Sequence, residues 1–223
     1  MRQNGDLQFK RGRMNRLNDT NRKLVNIKFP GELKTPYRIQ EYLDKIPYSD
    51  EAKYRCPATV LVDRKAHCFD GAVLAAALLQ RIGYPPQLVE LLPNDRDDDH
   101  IIALFRERSG WGAVGKSNFV GLRYREPVYR DLRELVMSYF EPYYNIAGER
   151  TLVGYTAPLD LDRAAPHDWM IRDESMEMIG EAFDRLRRYR VISPAAARKL
   201  TRVDKRSYKA GLLGAAVSGL YKP

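Results

Sequence analysis

The sequence predicts an α+β fold in which one buried helix packs on an antiparallel sheet. Residues 71–79 are apolar on every side, so the helix that they form must be surrounded by other elements. Short apolar runs follow at residues 87–92, 100–105 and 111–114, separated by loops that are polar or contain glycine. This pattern is typical of strands that run antiparallel to one another.

The segments before the buried helix are less regular. Residues 1–28 are polar and basic with few apolar side chains, which indicates a flexible arm. Thr35 and Pro36 suit the cap and first position of a helix, and apolar residues then recur at helical spacing. Residues 60–62 are interpreted as a short strand or an extended approach to the buried helix.

Beyond the third strand, the pattern favours helices. Residues 118–124 continue or follow the strand, and residues 131–144 have apolar side chains at the spacing of a helix packed along one face. An irregular stretch after Asn145 leads to a helix predicted at residues 174–190, and Ser193 caps another. The chain is therefore expected to have three parts: a basic flexible arm at 1–28, a core at 29–145 and a helical C-terminal extension at 146–223 packed on that core.

The composition is that of a single globular core. The chain has 223 residues, of which 44% are hydrophobic and 30% charged, and its mean hydropathy is -0.52. The N-terminal segment has no apolar stretch typical of a secretory signal, so we expect a cytoplasmic protein with no membrane partner. Two cysteines and three histidines do not supply a disulfide framework or a zinc site, and neither metal nor cofactor is expected.

The net charge of +9 is confined to the ends of the chain. Residues 1–50 carry +5, residues 51–145 are neutral and residues 146–223 carry +4. A nucleic-acid site would therefore lie on the basic flanks, where clusters such as Arg185 to Arg190 are also explained as a solvated helix face.

Cys68 is the candidate nucleophile. It lies at the predicted start of the buried helix, where unpaired N–H groups and the helix dipole favour a thiolate and can hold an oxyanion. The alternative is an inert packing cysteine. His67, its neighbour, is interpreted as a local cap or a pocket wall.

His100 is the candidate base, because it opens an otherwise apolar strand directly after three aspartates. Nearby carboxylates would favour a protonated His100 in an ion pair with Cys68. A third group must orient the imidazole, and Asn118 on the following segment is preferred over Ser117 and Asp99. A turn-forming asparagine is the other interpretation of Asn118.

These residues resemble the core of the transglutaminase-like superfamily of papain-like cysteine enzymes. The resemblance covers roughly residues 35–145 and is most specific at residues 67–72, at the helix exit around Gly83, at His100 and at Trp111. That family has an Asp four residues after the Trp, where this chain has Gly115, and Asn118 enters as a nearby substitute. The family's side-chain oxyanion donor upstream of the cysteine has no evident counterpart.

The resemblance implies a thiol enzyme that acts on an amide or acyl group through a thioester at Cys68, as a hydrolase, protease or acyltransferase. Its substrate would be a peptide, a protein or a small amide. The alternative is a non-catalytic papain-like scaffold that binds nucleic acid or an acidic partner, which the glycine at position 115 and the basic flanks favour.

Overall fold

The computed structural model describes residues 29–222, so the arm predicted at residues 1–28 lies outside the described residues. The helices, in chain order, are α1 (Pro36–Asp44), α2 (Pro57–Asp63), α3 (Cys68–Arg81), α4 (Leu132–Met137), α5 (Leu161–Ala164), α6 (Glu174–Asp184), α7 (Pro194–Ala197) and α8 (Lys205–Gly211). The strands are β1 (Gln87–Pro93), β2 (His100–Glu107), β3 (Gly110–Val114), β4 (Arg125–Tyr129), β5 (Leu152–Thr156), β6 (Leu159–Asp160) and β7 (Arg188–Arg190). Short 3-10 turns lie at Val120–Leu122 and Val217–Gly219.

One antiparallel sheet organises the chain. Its strands lie in the order β4, β3, β2, β1, β5 and β7, and the short β6 pairs with β1. The register places Leu91 of β1 opposite His100 of β2, and Ala103 of β2 opposite Val114 of β3. The predicted α+β class is confirmed, with the three strands after the buried helix in the predicted antiparallel order.

Helix α3 fills one side of this sheet. Its side chains from Ala72 to Leu79 are buried, and they pack with alternate residues of β2, such as Ile101 and Ala103. The other face of β2, with Ile102 and Leu104, packs against α4 and its following turn. The N-terminus of α3, with Cys68, lies at the edge of the sheet where β2 begins.

The expectation for residues 60–62 is wrong, since they belong to helix α2. Pro57 occupies its first turn, where the missing N–H costs nothing, and the N–H of Cys56 before it donates to Asp173 at 2.9 Å. Val60 then packs into the core. Tertiary packing here outweighs the weak strand preference of β-branched residues.

The segments beyond β3 are also shorter or different from the predicted ones. Residues 118–124 contain a 3-10 turn at Val120–Leu122 rather than a strand, and α4 ends at Met137. Helix α6 ends at Asp184, because the residues that follow pair as β7 with the open edge of β5. The segment after residue 145 therefore contributes three strands to the core sheet as well as helices, where the sequence predicts helices alone. The division of the chain into an arm, a core and a C-terminal extension packed on the core stays a prediction.

Candidate active site

Cys68 is the first residue of α3, as predicted, and it is half-buried. His67 caps the helix in a capping box with Asp70, whose carboxylate accepts from the His67 N–H at 3.4 Å. The His67 ring lies 3.4 Å from the same carboxylate. The interpretation of His67 as a cap thus agrees with the structure. The Cys68 Sγ lies 4.0 Å from the carbonyl oxygen of Asp99, directly before His100.

The Cys68 group is a thiol in this structure. Burial, together with the carboxylates of Asp99 and Asp98, raises the pKa of the thiol to about 12, while the backbone N–H groups of Ile101 and Phe69 oppose the shift. The sequence predicts the opposite direction from the helix dipole. Desolvation of the thiolate outweighs the dipole here because the sulfur lies against the start of β2, 4.0 Å from the Asp99 carbonyl oxygen.

His100 is 4% exposed, and its Nε2 lies 2.8 Å from the carbonyl oxygen of Leu122. A carbonyl can only accept, so Nε2 carries the proton in this contact. Burial lowers the pKa of His100 to about 4, and the imidazole is neutral near pH 7. The expected ion pair between a protonated His100 and a Cys68 thiolate is therefore wrong for this state.

The second ring nitrogen of His100 meets a small cavity. Among the described residues, Nδ1 has no hydrogen-bond partner and is not one of the fully buried unpaired atoms. His100 and Cys68 both line a cavity of about 60 Å³. No hydrogen bond joins them within residues 29–222, so the two side chains share a space rather than a contact.

Gly115 faces the same imidazole. A Cβ at this position would lie 3.5 Å from His100 Nε2 and 3.3 Å from the oxygen of Leu122. Position 115, where the family that this sequence resembles has Asp, thus faces the His100 ring. Position 115 has no side chain, and the backbone carbonyl of Leu122 accepts the hydrogen bond from Nε2–H.

Asn118 is buried but does not reach His100 in the described hydrogen bonds. Its Nδ2 donates to the Ala216 carbonyl at 3.0 Å, and its Oδ1 accepts from the Ala216 N–H at 2.9 Å. Both polar atoms of the amide are therefore used on the backbone of a segment about one hundred residues further along the chain. Ser117 instead accepts from the Phe119 N–H at 3.0 Å.

Tyr48 is a site residue that sequence reasoning missed. Residues 47–49 pair with Ala66, with the Ser49 N–H donating to the Ala66 carbonyl at 3.0 Å, and this pairing places Tyr48 beside Cys68. Tyr48 lines both cavities that Cys68 lines. Burial and the nearby Cys68 raise its pKa well above 10, so its hydroxyl stays protonated and can donate. No local pattern marks a tyrosine twenty residues upstream of the nucleophile.

A larger cleft opens beside Cys68, with a volume of about 680 Å³. Its acidic lining residues are Asp50, Glu51, Glu90, Asp98 and Asp99. Burial raises the pKa of Asp98 and of Asp99 to about 6. Within residues 29–222, no group of three or more histidine, cysteine or acidic side chains is arranged to hold a metal ion.

The basic residues near position 188 form ion pairs along the chain, and Arg188 is also close enough to Glu90 of the cleft lining to oppose the rise in its pKa. Arg188 pairs with Asp184 at 3.3 Å and Arg185 with Glu181 at 4.0 Å, both one turn apart along the chain. Exposed pairs of this kind contribute little to stability. None of the helices in the described part of the chain has the length and apolar character needed to cross a membrane.

The fold and site define the class: an α+β protein whose buried helix presents a cysteine at the start of a histidine-bearing strand. No family model matches the chain, and no curated protein matches it. Solved structures of Legionella pneumophila LapG are similar at 13% identity, over 78% of this chain and 86% of that chain, with a TM-score of 0.35. The EGTA-treated form has 14% identity over 75% and 88%, with a TM-score of 0.36.

Proposed function

We propose that this protein is a transglutaminase-like thiol enzyme that forms a thioester between Cys68 and an acyl group of its substrate. The observation that carries the proposal is the shared cavity of Cys68 and His100, in which the Leu122 carbonyl fixes the imidazole tautomer. A base with its proton held at Nε2 leaves Nδ1 free to accept the thiol proton.

The reaction starts from the neutral pair. As the Cys68 sulfur attacks the substrate carbonyl carbon, the thiol proton passes to His100 Nδ1, and the carbonyl oxygen gains the negative charge. The tetrahedral intermediate collapses with cleavage of the carbon–nitrogen bond, and the departing amine takes the proton from His100. Water or a second amine then attacks the thioester, which releases an acid or a new amide and restores the thiol. Hydrolase and acyltransferase both follow this scheme.

Two donors are proposed for the oxyanion. The N–H of Cys68 lies in the first turn of α3, where it has no partner within the helix. The hydroxyl of Tyr48 lies on the same cavity and stays protonated. One positioned donor of this type is worth roughly a hundredfold or more in rate. In this scheme Tyr48 is the side-chain oxyanion donor upstream of the cysteine, for which the sequence shows no evident candidate.

The orienting role is proposed for the Leu122 carbonyl rather than for Asn118. The imidazole contact at 2.8 Å is made by Leu122, whereas both polar atoms of the Asn118 amide contact Ala216. A carbonyl fixes the tautomer as a carboxylate would, but it adds no charge to the pair.

The test is acylation by p-nitrophenyl acetate. We expect a burst of about one equivalent of nitrophenol per chain, with one acetyl group on the tryptic peptide that contains Cys68, removable by neutral hydroxylamine as a thioester. His100→Gln should slow this acylation at least about a hundredfold, the usual contribution of a general base. Tyr48→Phe, which keeps the ring and removes the donor, should slow it without changing the modified residue.

Cys68→Ala is the matched negative control. Acetyl groups spread over lysines and equally abundant in this variant would contradict the proposal. So would acylation of Cys68 at the same rate in the protein and in His100→Gln, because the cysteine would then react without a base.

A further inference from the structure

The segment Ala216–Tyr221 lies along the cleft beside Cys68. Residues 218–221 line the cleft of about 680 Å³ together with Cys68, and Gly219 to Tyr221 also line the small cavity of His100. The chain reaches this place from α8, whose Ser207 carbonyl accepts from the Tyr144 hydroxyl at 3.0 Å. Gly214, with φ of +75°, then turns the backbone in a conformation that side chains disfavour.

The side chain of Asn118 binds the segment Ala216–Tyr221 through the backbone of Ala216. One carboxamide pairs with both the N–H and the C=O of Ala216, at 2.9 and 3.0 Å. Such a pair recognises an extended peptide unit whatever its side chain. The same asparagine would therefore hold any peptide whose backbone entered the cleft in this direction.

Gly219 shows which side chain the inner end of the cleft accepts. A Cβ on Gly219 would lie 2.8 Å from Cδ1 of Tyr48 and 3.1 Å from Nδ2 of Asn118. The space between Tyr48 and Asn118 thus fits a residue without a side chain. Because Tyr48 also lines the Cys68 cavity, this restriction applies next to the reacting sulfur.

We infer that Asn118 is a peptide-backbone binding residue and that the segment Ala216–Tyr221 occupies its site in competition with a peptide that is extended at the paired residue, takes the same 3-10 turn after it and has glycine three positions further on. The inference rests on the proposed function, because the Asn118 site is a substrate site only if Cys68 is the nucleophile. It names the substrate class as a polypeptide rather than a small amide.

Two single substitutions by proline in the full chain distinguish release of the Asn118 pair from a general disturbance of the segment Ala216–Tyr221. Ala216→Pro removes the N–H that donates to Asn118, and the φ of -76° at this residue suits the proline ring. Val217→Pro is the matched control. Val217 is exposed, begins the 3-10 turn and donates no hydrogen bond from its N–H within the described residues, so the Asn118 pair is kept.

The probe is a fluorescent peptide with the sequence of residues 213–222, and binding is followed by anisotropy. Ala216→Pro should bind it about fivefold more tightly than the unchanged chain, the factor expected when the internal competitor loses one hydrogen bond. Val217→Pro should bind it no more tightly than the unchanged chain. Addition of Asn118→Ala to Ala216→Pro should abolish the gain, and replacement by valine of the peptide glycine that corresponds to Gly219 should weaken binding.

Alkylation of Cys68 by iodoacetamide at pH 8 gives a second measurement. Its rate should rise several-fold in Ala216→Pro and stay unchanged in Val217→Pro, because only the first change releases the segment. Equal behaviour of the two proline variants in both measurements would overturn the inference. Absence of peptide binding to Ala216→Pro at millimolar concentration, or binding that does not depend on Asn118, would also overturn it.

These results are separable from the proposed function. Peptide binding does not need the thiol, so Cys68→Ala should bind the peptide as well as the unchanged chain. If acylation fails while binding depends on Asn118, the cleft is a binding site without catalysis. If acylation succeeds while the proline variants are equal, Cys68 is a nucleophile and the segment Ala216–Tyr221 does not compete with substrate.

Discussion

Alkylation of Cys68 as a function of pH measures the ionisation of the thiol directly. The structure raises the pKa of this thiol from 9.0 to about 12, which lowers the thiolate fraction below pH 9 about a thousandfold. A thiolate of higher pKa is also a better nucleophile, by about 25-fold for three pKa units at a Brønsted coefficient of about 0.45. The net expectation is a rate about 40-fold slower than that of an unfolded thiol.

The assay is iodoacetamide alkylation between pH 6 and 10, quantified on the tryptic peptide that contains Cys68, so that Cys56 is counted separately. The reference is a synthetic peptide of residues 66–70, which has the same neighbours and no fold. We expect the rate to rise about tenfold per pH unit with no plateau below pH 10. His100→Gln should not shift the profile along the pH axis, because a neutral imidazole does not hold a thiolate.

A plateau that begins below pH 8, or a rate at pH 8 above that of the reference peptide, would refute the reasoning. Either result would mean that the helix dipole outweighs desolvation at Cys68. Loss of such a plateau in His100→Gln would restore the ion pair predicted from the sequence. A slow, featureless profile together with a burst of acylation would show that His100 acts as a base during the attack.

Three further predictions follow from the same structure. Burial lowers the pKa of His100 from 6.5 to about 4 in the folded protein, so the unfolded state binds more protons between pH 4 and 6.5. Acidification from pH 6.5 to 4 should therefore remove up to about 3 kcal/mol of stability. The difference in the free energy of unfolding between the protein and His100→Gln, measured with urea, should fall over this range, and a constant difference would contradict the lowered pKa. Arg55 is 2% exposed and lies beside the fully buried Asp70, so Arg55→Leu should lower the free energy of unfolding by about 3 kcal/mol. The control Arg38→Leu, which removes an exposed ion pair, should lower it by less than about 1 kcal/mol. Equal losses in the two variants, measured with urea, would contradict this reasoning. Gly115→Asp should raise the pKa of His100, followed by its ring proton shifts in NMR, above that in the Gly115→Ala control, because a carboxylate there would lie against Nε2; an unchanged pKa would show that the new side chain does not face the ring.

The sequence was sufficient for the part of the fold that local patterns define. Helix α3 and strands β1 to β3 have long apolar runs with clear ends, and all four lie where they are predicted. Strand β7 could not be predicted, since residues 188–190 pair with β5 only after the chain returns from α6. Residues 60–62 likewise take their helical form from Pro57 and the distant Asp173.

At the candidate site, sequence reasoning proposed Cys68 and His100, which line one cavity in the structure, but it could not predict what surrounds them. Cys68 and His100 have recognisable positions at the ends of elements, whereas a backbone carbonyl such as that of Leu122 has no signature in the sequence at all. The direction of the pKa shift at Cys68 also depended on how closely β2 covers the sulfur. Burial is a property of the folded chain, and it reversed the expectation based on the helix dipole alone.

Gly115 and the Leu122 carbonyl both lie beside Nε2 of His100. A Cβ at position 115 would lie 3.3 Å from the Leu122 oxygen, so a side chain there would require this oxygen to shift by a few tenths of an ångström from its place at Nε2. A carboxylate in that place would stabilise an imidazolium before the reaction, and a carbonyl does so far less. The proposed enzyme accordingly starts from a neutral thiol and a neutral imidazole, and the charge separates only as the sulfur attacks. Because that separation occurs in the transition state, the donors at the oxyanion, Tyr48 among them, have more of the barrier to lower than they would beside a preformed ion pair.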